Sequence, residues 1–312
     1  MIVTLTVNPA LDRTIALDAA LRPGEVQAAR SAREEAGGKG VNVSRVVAAA
    51  GVDTLAVLPL ATDDPYRVPL AASGISTVPV PVARQVRTNL AITDPDGVTT
   101  KINLPGSPLS GADSAAVVHA VVEASADADW LVLAGSLPDS AAASFYVDVI
   151  SAVRDRRGAS APRIAVDASG PALHEVVAHG AVDLIKPNDE ELAELLGTPV
   201  DGTSPEGIMD SVRAIVPARV AAALITLGGA GAVLVTAQGA WFAAAPRIRV
   251  VSTVGAGDSS LAGYLLADRA GADAAARLTS AIRYGAAAAS LPGTQVPTPA
   301  DLGHHDISVR SI

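Results

Sequence analysis

The 312-residue chain has no cysteine. That excludes disulfides, thiolate nucleophiles and cysteine-ligated zinc. Aromatic residues make up only 3%, although 49% of the chain is hydrophobic. A core built from it must therefore be Ala, Val, Leu and Ile at close spacing. Positive charge is also short: 23 Lys and Arg against 32 Asp and Glu leave a net −9. Such a surface argues against nucleic acid or an anionic membrane as partner. No apolar run reaches the ~18 residues of a membrane span. The opening Met1-Ile2-Val3-Thr4-Leu5 reads as a strand, without the charged and apolar regions of a signal peptide. The expectation is a soluble, cytoplasmic protein. The histidines are scattered or, at His304-His305, sit in what reads as a solvated tail. No Ser-His-Asp set and no paired carboxylates can be placed together from sequence.

What is present is alternation. Short apolar strands are expected at 54–58, 75–80, 130–134, 163–167, 184–186 and 222–226. Helices are expected at 112–124, 140–156, 171–178, 189–196, 207–216, 256–268 and 272–289. Strands alternating with helices predict an α/β fold with a mostly parallel sheet covered on both faces. Two segments break this rhythm. Residues 13–33 alternate without a helical period. Residues 86–103 read as a hairpin around the turn Asp94-Pro95-Asp96-Gly97. Together they predict a small antiparallel sheet outside the main core, covered by the active site or by a second subunit.

One stretch organises the rest: Val251-Ser252-Thr253-Val254-Gly255-Ala256-Gly257-Asp258. A β-branched approach at 249–253 reads as a strand end. The small residues Gly255, Ala256 and Gly257 then open a helix. Such a turn leaves backbone N–H groups unpaired at the positive end of the helix dipole, a ready anion site. Asp258 in that site is either an N-cap or a general base that takes a proton from an attacking hydroxyl. The three small residues before it, which let a phosphate approach the backbone, favour the base.

Other polar positions fall near strand ends, where open α/β sheets bind ligands. Asn8 and Asp12 flank Pro9 on an expected loop, as turn formers or ligand groups. Lys39 stands in Gly37-Gly38-Lys39-Gly40 before a helix carrying Asn42, either solvated or paired with an anion. This is not a Walker A loop, because its glycine and Lys-Ser/Thr spacing is absent. Gly135-Ser136 follows a further strand, and Asp167 ends another. Lys186-Pro187-Asn188 with Glu191 is a capping pattern, or places an acid near a phosphate-bound Mg²⁺ through water. Thr226-Leu227-Gly228-Gly229-Ala230-Gly231 leads into a strand rather than a helix, so it fails as a dinucleotide fingerprint. A flat glycine turn between strands suits a nucleotide's ribose and phosphates.

Ala36 to Val43 and Val254 to Asp258 resemble the two signatures of the ribokinase-like (PfkB) carbohydrate kinases. Lys186-Pro187-Asn188 with Glu191, and Thr226-Leu227-Gly228, resemble that family's intervening motifs in the same order. The resemblance implies a single three-layer α/β/α domain over 1–312, with lid strands within 12–35 and 84–104. It implies Asp258 as base, with Gly255, Ala256, Gly257 and Asp258 supplying an anion hole. Asp12, Gly38 and Asn42 would bind the sugar. Lys39 and Arg87, with Lys101, Asn103 or Ser136, would hold a phosphate already on it. Lys186, Asn188, Glu191, Thr226, Gly228 and Gly231 would serve ATP, with Ala287 and Gly293 near the adenine and Glu191 reaching Mg²⁺ through water. A monovalent cation such as K⁺ is a further cofactor the resemblance allows. The implied partners are ATP and a phosphosugar, with no nucleic acid, no membrane, and a homodimer through the lid strands. The implied reaction is ATP-dependent phosphorylation of D-fructose 1-phosphate to the 1,6-bisphosphate. Tagatose 6-phosphate and fructose 6-phosphate are alternative substrates, and a non-catalytic sugar-phosphate sensor is the alternative of another class. Leu104 stands where such kinases commonly carry Glu, which bears on lid polarity and substrate choice. Thr62 to Leu70 is shorter than usual, an expected surface helix with no bearing on the chemistry.

Overall fold

A computed structural model describes residues 1–139 and 141–312. Within them, the strands are β1 (Ile2–Leu5), β2 (Ala10–Leu17), β3 (Ala29–Gly37), β4 (Thr54–Leu60), β5 (Ser76–Pro81), β6 (Arg87–Thr93), β7 (Thr99–Asn103), β8 (Trp130–Ala134), β9 (Arg163–Asp167), β10 (Leu184–Ile185), β11 (Ala222–Thr226), β12 (Ala232–Thr236), β13 (Gly239–Ala243) and β14 (Val309–Ser311). The helices are α1 (Lys39–Ala49), α2 (Arg67–Ala72), α3 (Gly111–Ala124), α4 (Phe145–Arg157), α5 (Gly170–Glu175), α6 (Asp189–Leu196), α7 (Pro205–Val212), α8 (Ala256–Arg269) and α9 (Ala274–Ala289).

A ten-stranded sheet runs β14-β13-β12-β11-β10-β9-β8-β1-β4-β5. From β11 to β5 all neighbours are parallel, and β12 to β14 add an antiparallel edge. Its central strands are buried on both faces, which is why they read as unbroken apolar runs. One cluster, with Val3, Leu5, Leu131 and Ile150, fills the face under α3 to α7. The other, with Val43, Val46, Leu261 and Tyr284, fills the face under α1, α8 and α9. Scarce aromatics force close packing there. A Cβ on Gly263 of α8 would lie 2.6 Å from the Ser280 carbonyl and 2.8 Å from the Tyr284 ring on α9.

The small sheet has the order β3-β2-β6-β7. It is antiparallel within each hairpin, but parallel where β2 meets β6. The register aligns Glu35, Asp12, Asn89 and Asn103 across all four strands. Because side chains alternate, Asp12, Arg87, Asn89, Lys101 and Asn103 share one face. Arg13, Ile15, Leu90, Ile92 and Ile102 share the other.

Several local expectations are corrected. Asp12 lies within β2, not on a loop, because Pro9 ends β1 and leaves the pattern free to resume at once. Residues 249–253 form no strand: Val251 donates its N–H to the Ala289 carbonyl at 2.8 Å, so α9, not a neighbouring strand, takes the hydrogen bond. The helix expected from 140 begins at Phe145, after a turn, and Ser140 lies outside the described residues. The helix expected to 178 ends in a wider turn over Val176–Gly180. The segment after β4 is more than a surface helix: Tyr66 is fully buried and its O–H donates to the Gly37 carbonyl at 2.8 Å. Strands β13, despite its apolar Ala240-Trp241-Phe242-Ala243, and β14, with one apolar side chain in three residues, were not expected.

Replacing Gly263 by Ala improves helix propensity, yet the Cβ has no room against α9. The expected result is a net loss of ~2 kcal/mol in chemical denaturation at unchanged m-value. A neutral or stabilising outcome would show that α8 and α9 separate easily.

Candidate active site

The sheet's parallel strands deliver their C-terminal ends to one edge, and the lid stands over it. Asp167 is the last residue of β9 and is fully buried. Its Oδ1 accepts a hydrogen bond from Lys39 Nζ at 2.7 Å, and its Oδ2 lies 3.1 Å from Lys186 Nζ. Lys39 starts α1, and Lys186 follows β10. One carboxylate thus gathers two ammonium groups from opposite sides. Burial pushes the Asp167 carboxyl up, but the charges of Lys186 and Lys39 win and hold it below the usual range. Burial disfavours the Lys39 ammonium, but Asp167 more than offsets this and raises its pKa.

Asp258 sits in the first turn of α8, 7% exposed. Gly255 before it adopts the left-handed φ of 76°, so no side chain caps the helix. Among the described residues, the Gly257 and Asp258 N–H groups have no hydrogen-bond acceptor. A Cβ on Gly257 would come 3.4 Å from Lys186 Nζ, so glycine keeps open the space between ammonium and helix. Asn42 Nδ2 donates to Asp258 Oδ2 at 2.8 Å, and its own Oδ1 is buried without a partner. Burial first, and then the charge of Asp167, raise the Asp258 pKa against Asn42, Lys39 and Lys186, to a net value of about 6. A carboxylate poised near neutrality suits proton abstraction.

A cleft of about 620 Å³ opens from this point. It is lined by Lys39, Asp167, Lys186, Asn188, Glu191, Thr226, Gly228, Gly231 and Gly255 to Asp258. Its apolar wall is Ile248, Val250, Ala281, Ile282 and Ala289. Ala287 and Gly293 do not line it; Ala286, beside Ala287, does. Gly293 instead lies against Arg33 of β3. Asn188 and Glu191 form a complete capping box at α6, with bonds of 2.7 and 2.9 Å. The capping reading is therefore realised, and both residues also line the cleft.

Across the cleft edge, Asp12 Oδ1 accepts from Asn89 Nδ2 at 2.8 Å. Burial raises the Asp12 pKa against the pull of Asn89 and Arg87. Arg87 lines a separate small recess with Asn8, Gln85 and Ser107, and its Nε is buried without a partner. Asn8 Nδ2 donates to Ser136 Oγ at 3.2 Å. Lys101 and Asn103 are exposed on β7. Lys39 and Arg87, expected to act together, therefore face different recesses. Asp167 had no role in the sequence reading; its signal was a lone acid closing an apolar strand. Asn89 and Tyr66 had no isolated signal, since their importance comes from pairing across strands.

The chain is similar to known proteins along nearly its whole length. The description "pfkB family carbohydrate kinase" matches residues 6–301. The chain belongs to that family. A 1-phosphofructokinase of Rhodobacter capsulatus is 34% identical over 291 residues, 91% of this chain and 90% of its own. An ATP-dependent 6-phosphofructokinase isozyme 2 of Mycobacterium tuberculosis is 30% identical over 300 residues, 94% of this chain and 85% of its own. The crystal structure of phosphofructokinase-2 from Escherichia coli in complex with potassium is similar with a TM-score of 0.89 at 27% identity, covering 96% of both chains. This carbohydrate kinase has no helix, among the described residues, long and apolar enough to cross a membrane.

Asp258 gives a stability test. Its folded pKa lies above the unfolded value, so the ionised form destabilises the fold, fully so above about pH 6 and not at all below the unfolded pKa. Asp258→Asn is expected to raise stability by on the order of 2–3 kcal/mol at pH 7.5, with the gain vanishing toward pH 4. Denaturant melts at the two pH values check it; a loss at pH 7.5 would mean the carboxylate is held more favourably than its burial implies.

Proposed function

We propose that the protein transfers the terminal phosphoryl group of ATP to a sugar that already carries a phosphate, with D-fructose 1-phosphate as preferred acceptor. The observation that carries this is a buried acid, Asp258, set in the first turn of α8 beside free main-chain amides and two lysines, with the buried, unpartnered Nε of Arg87 in a separate recess on the polar lid face. The name of the Rhodobacter relative supports the choice of sugar.

In this reading Asp258 takes the proton of the sugar's free primary hydroxyl as its oxygen bonds to the γ-phosphorus and the bond to ADP breaks. Asn42 orients the carboxylate through its 2.8 Å hydrogen bond. The amides of Gly255 to Asp258, with Lys39 and Lys186, receive the charge that builds on the phosphoryl oxygens. Asp12 and the Gly38 amide hold sugar hydroxyls. Arg87, with Lys101, Asn103 and Ser136, receives the resident phosphate. Thr226, Gly228, Gly231, Asn188 and the apolar wall hold the nucleotide, with Ala287 behind that wall next to Ala286; Gly293, against Arg33, takes no part.

Mg²⁺ fits this donor set in one way. No group of three or more His, Cys, Asp or Glu that could hold a metal occurs among the described residues. A magnesium ion carried by phosphate oxygens and water, with Glu191 as outer partner, needs no such cage. When bound it neutralises phosphate charge. K⁺ remains part of the proposal, supported by the potassium complex of the Escherichia coli structure. The apolar outer face of the lid, with Ile15, Leu90, Ile92 and Ile102, and exposed Val26, Val98 and Leu104 nearby, supports a homodimer through the lid strands. The reading includes a cytoplasmic location.

Three outcomes are expected. In initial-rate assays, ADP release is fastest with fructose 1-phosphate and slower with fructose 6-phosphate, tagatose 6-phosphate and fructose; a preference for fructose would end the phosphosugar reading. Arg87→Ala raises KM for the phosphosugar ~100-fold or more and leaves KM for ATP within ~3-fold. The kcat/KM profile falls tenfold per unit below about pH 6, and Asp258→Asn turns over at under ~1% of wild type.

A further inference from the structure

The turn that carries Gly38 into the site is made of two glycines, and one of them is in a conformation that selects nothing by itself. Gly38 has φ 124°, ψ 133°, a region open to glycine alone. Gly37 is equally constrained: a Cβ there would lie 2.0 Å from Asp12 Oδ2, so the carboxylate lies across the bare Cα. Glycine solves the steric problem but adds no side chain to hold the Gly37–Gly38 peptide, which lies between Gly37, ending β3 opposite Ala10, and the Gly38 carbonyl, which accepts the Asn42 N–H at 2.9 Å.

Tyr66 adds a further hold, on the peptide itself. Its ring is fully buried among Leu11, Val41, Leu58 and Leu70, and its O–H donates to the Gly37 carbonyl at 2.8 Å. Burial, with Asp12 nearby, raises the phenol's pKa, so it stays a donor. In a trans peptide the C=O of one residue and the N–H of the next point in opposite directions. Holding the Gly37 carbonyl toward the core therefore turns the Gly38 N–H away from it.

The same segment grips the lid at a second point. Asp64, 4% exposed, accepts the Tyr66 N–H at 2.9 Å on Oδ1 and the Val86 N–H at 2.7 Å on Oδ2. Val86 immediately precedes Arg87 at the start of β6. Asp64 and Tyr66 thus tie down two places where the chain passes between core and lid: the exit from β3 and the entry to β6.

We propose that Tyr66, braced by Asp64, is a positioning residue for the sugar site: it locks the Gly37–Gly38 peptide in the orientation that presents the Gly38 N–H to the acceptor, and the pair sets Arg87 relative to that amide. This rests on the phosphosugar kinase reading above. Neither side chain reaches the nucleotide cleft, so the effect belongs to the acceptor alone.

The test is Tyr66→Phe, which keeps the ring in the core and removes one oxygen. KM for the phosphosugar is expected to rise ~10-fold, the worth of one lost hydrogen bond. KM for ATP is expected to stay within ~2-fold, and amide exchange of a peptide spanning 34–41 to quicken. Asp64→Asn, a second variant that removes the charge but not the shape, is expected to show the same split. A wild-type KM pair in both variants overturns the proposal. So does a parallel rise in both KM values with a lowered melting temperature, which is what a merely structural role would give. Wild-type protein that phosphorylates none of the phosphosugars would overturn the functional reading first, and this proposal with it. Wild-type turnover without the split would overturn the proposal alone.

Discussion

The site depends on one buried carboxylate holding two ammonium groups. Asp167 alone at the end of β9 would be a costly charge in an apolar sheet, and Lys186, almost as buried, would be no better placed. Together with Lys39 they make a cluster that tolerates burial because each charge has a partner. The cluster carries a net positive charge facing the start of α8. That surplus limits the cost of placing Asp258 there: burial and the charge of Asp167 raise its pKa, and the two lysines hold the rise back. Removing either lysine shifts that balance, so Asp167, the two lysines and Asp258 are one electrostatic unit and their mutational effects will not be additive.

The lid answers this unit with a sheet of two characters. Strict alternation places Asp12, Arg87, Asn89, Lys101 and Asn103 on one face and aliphatic residues on the other. A one-residue slip in any strand would exchange that strand's faces and break up the polar side. The parallel joint between β2 and β6 matters here. It brings Asn89 opposite Asp12 from a segment 77 residues away and fixes that carboxylate by a hydrogen bond rather than by solvent.

Much of this was legible in the sequence. The apolar strands β8, β9 and β11 fall where their composition places them, since burial on both faces leaves a continuous signal. The glycine turn before α8 and the hairpin of β6 and β7 were readable for the same reason: both are local. What escaped was non-local. Nothing near Tyr66 says that its hydroxyl meets Gly37, and nothing near Asp167 says that lysines 39 and 186 converge on it. The separation of Lys39 from Arg87 also could not be read, because like charges in sequence carry no record of which recess each one enters. The strand expected at 249–253 failed because β-branched residues favour extended backbone whether or not a partner strand exists.

The lid is joined to the core by four short links: around Asn8-Pro9, at Gly37-Gly38, before Val86, and from Leu104 to Leu109. Mechanically these act as springs in parallel, and parallel stiffnesses add. A lid on one hinge can swing widely; a lid on four can only tilt, with each link bending a little. Access for a sugar therefore comes from a small collective rocking rather than from a flap thrown open. An insertion that lengthens one link would leave the other three to keep the joint stiff.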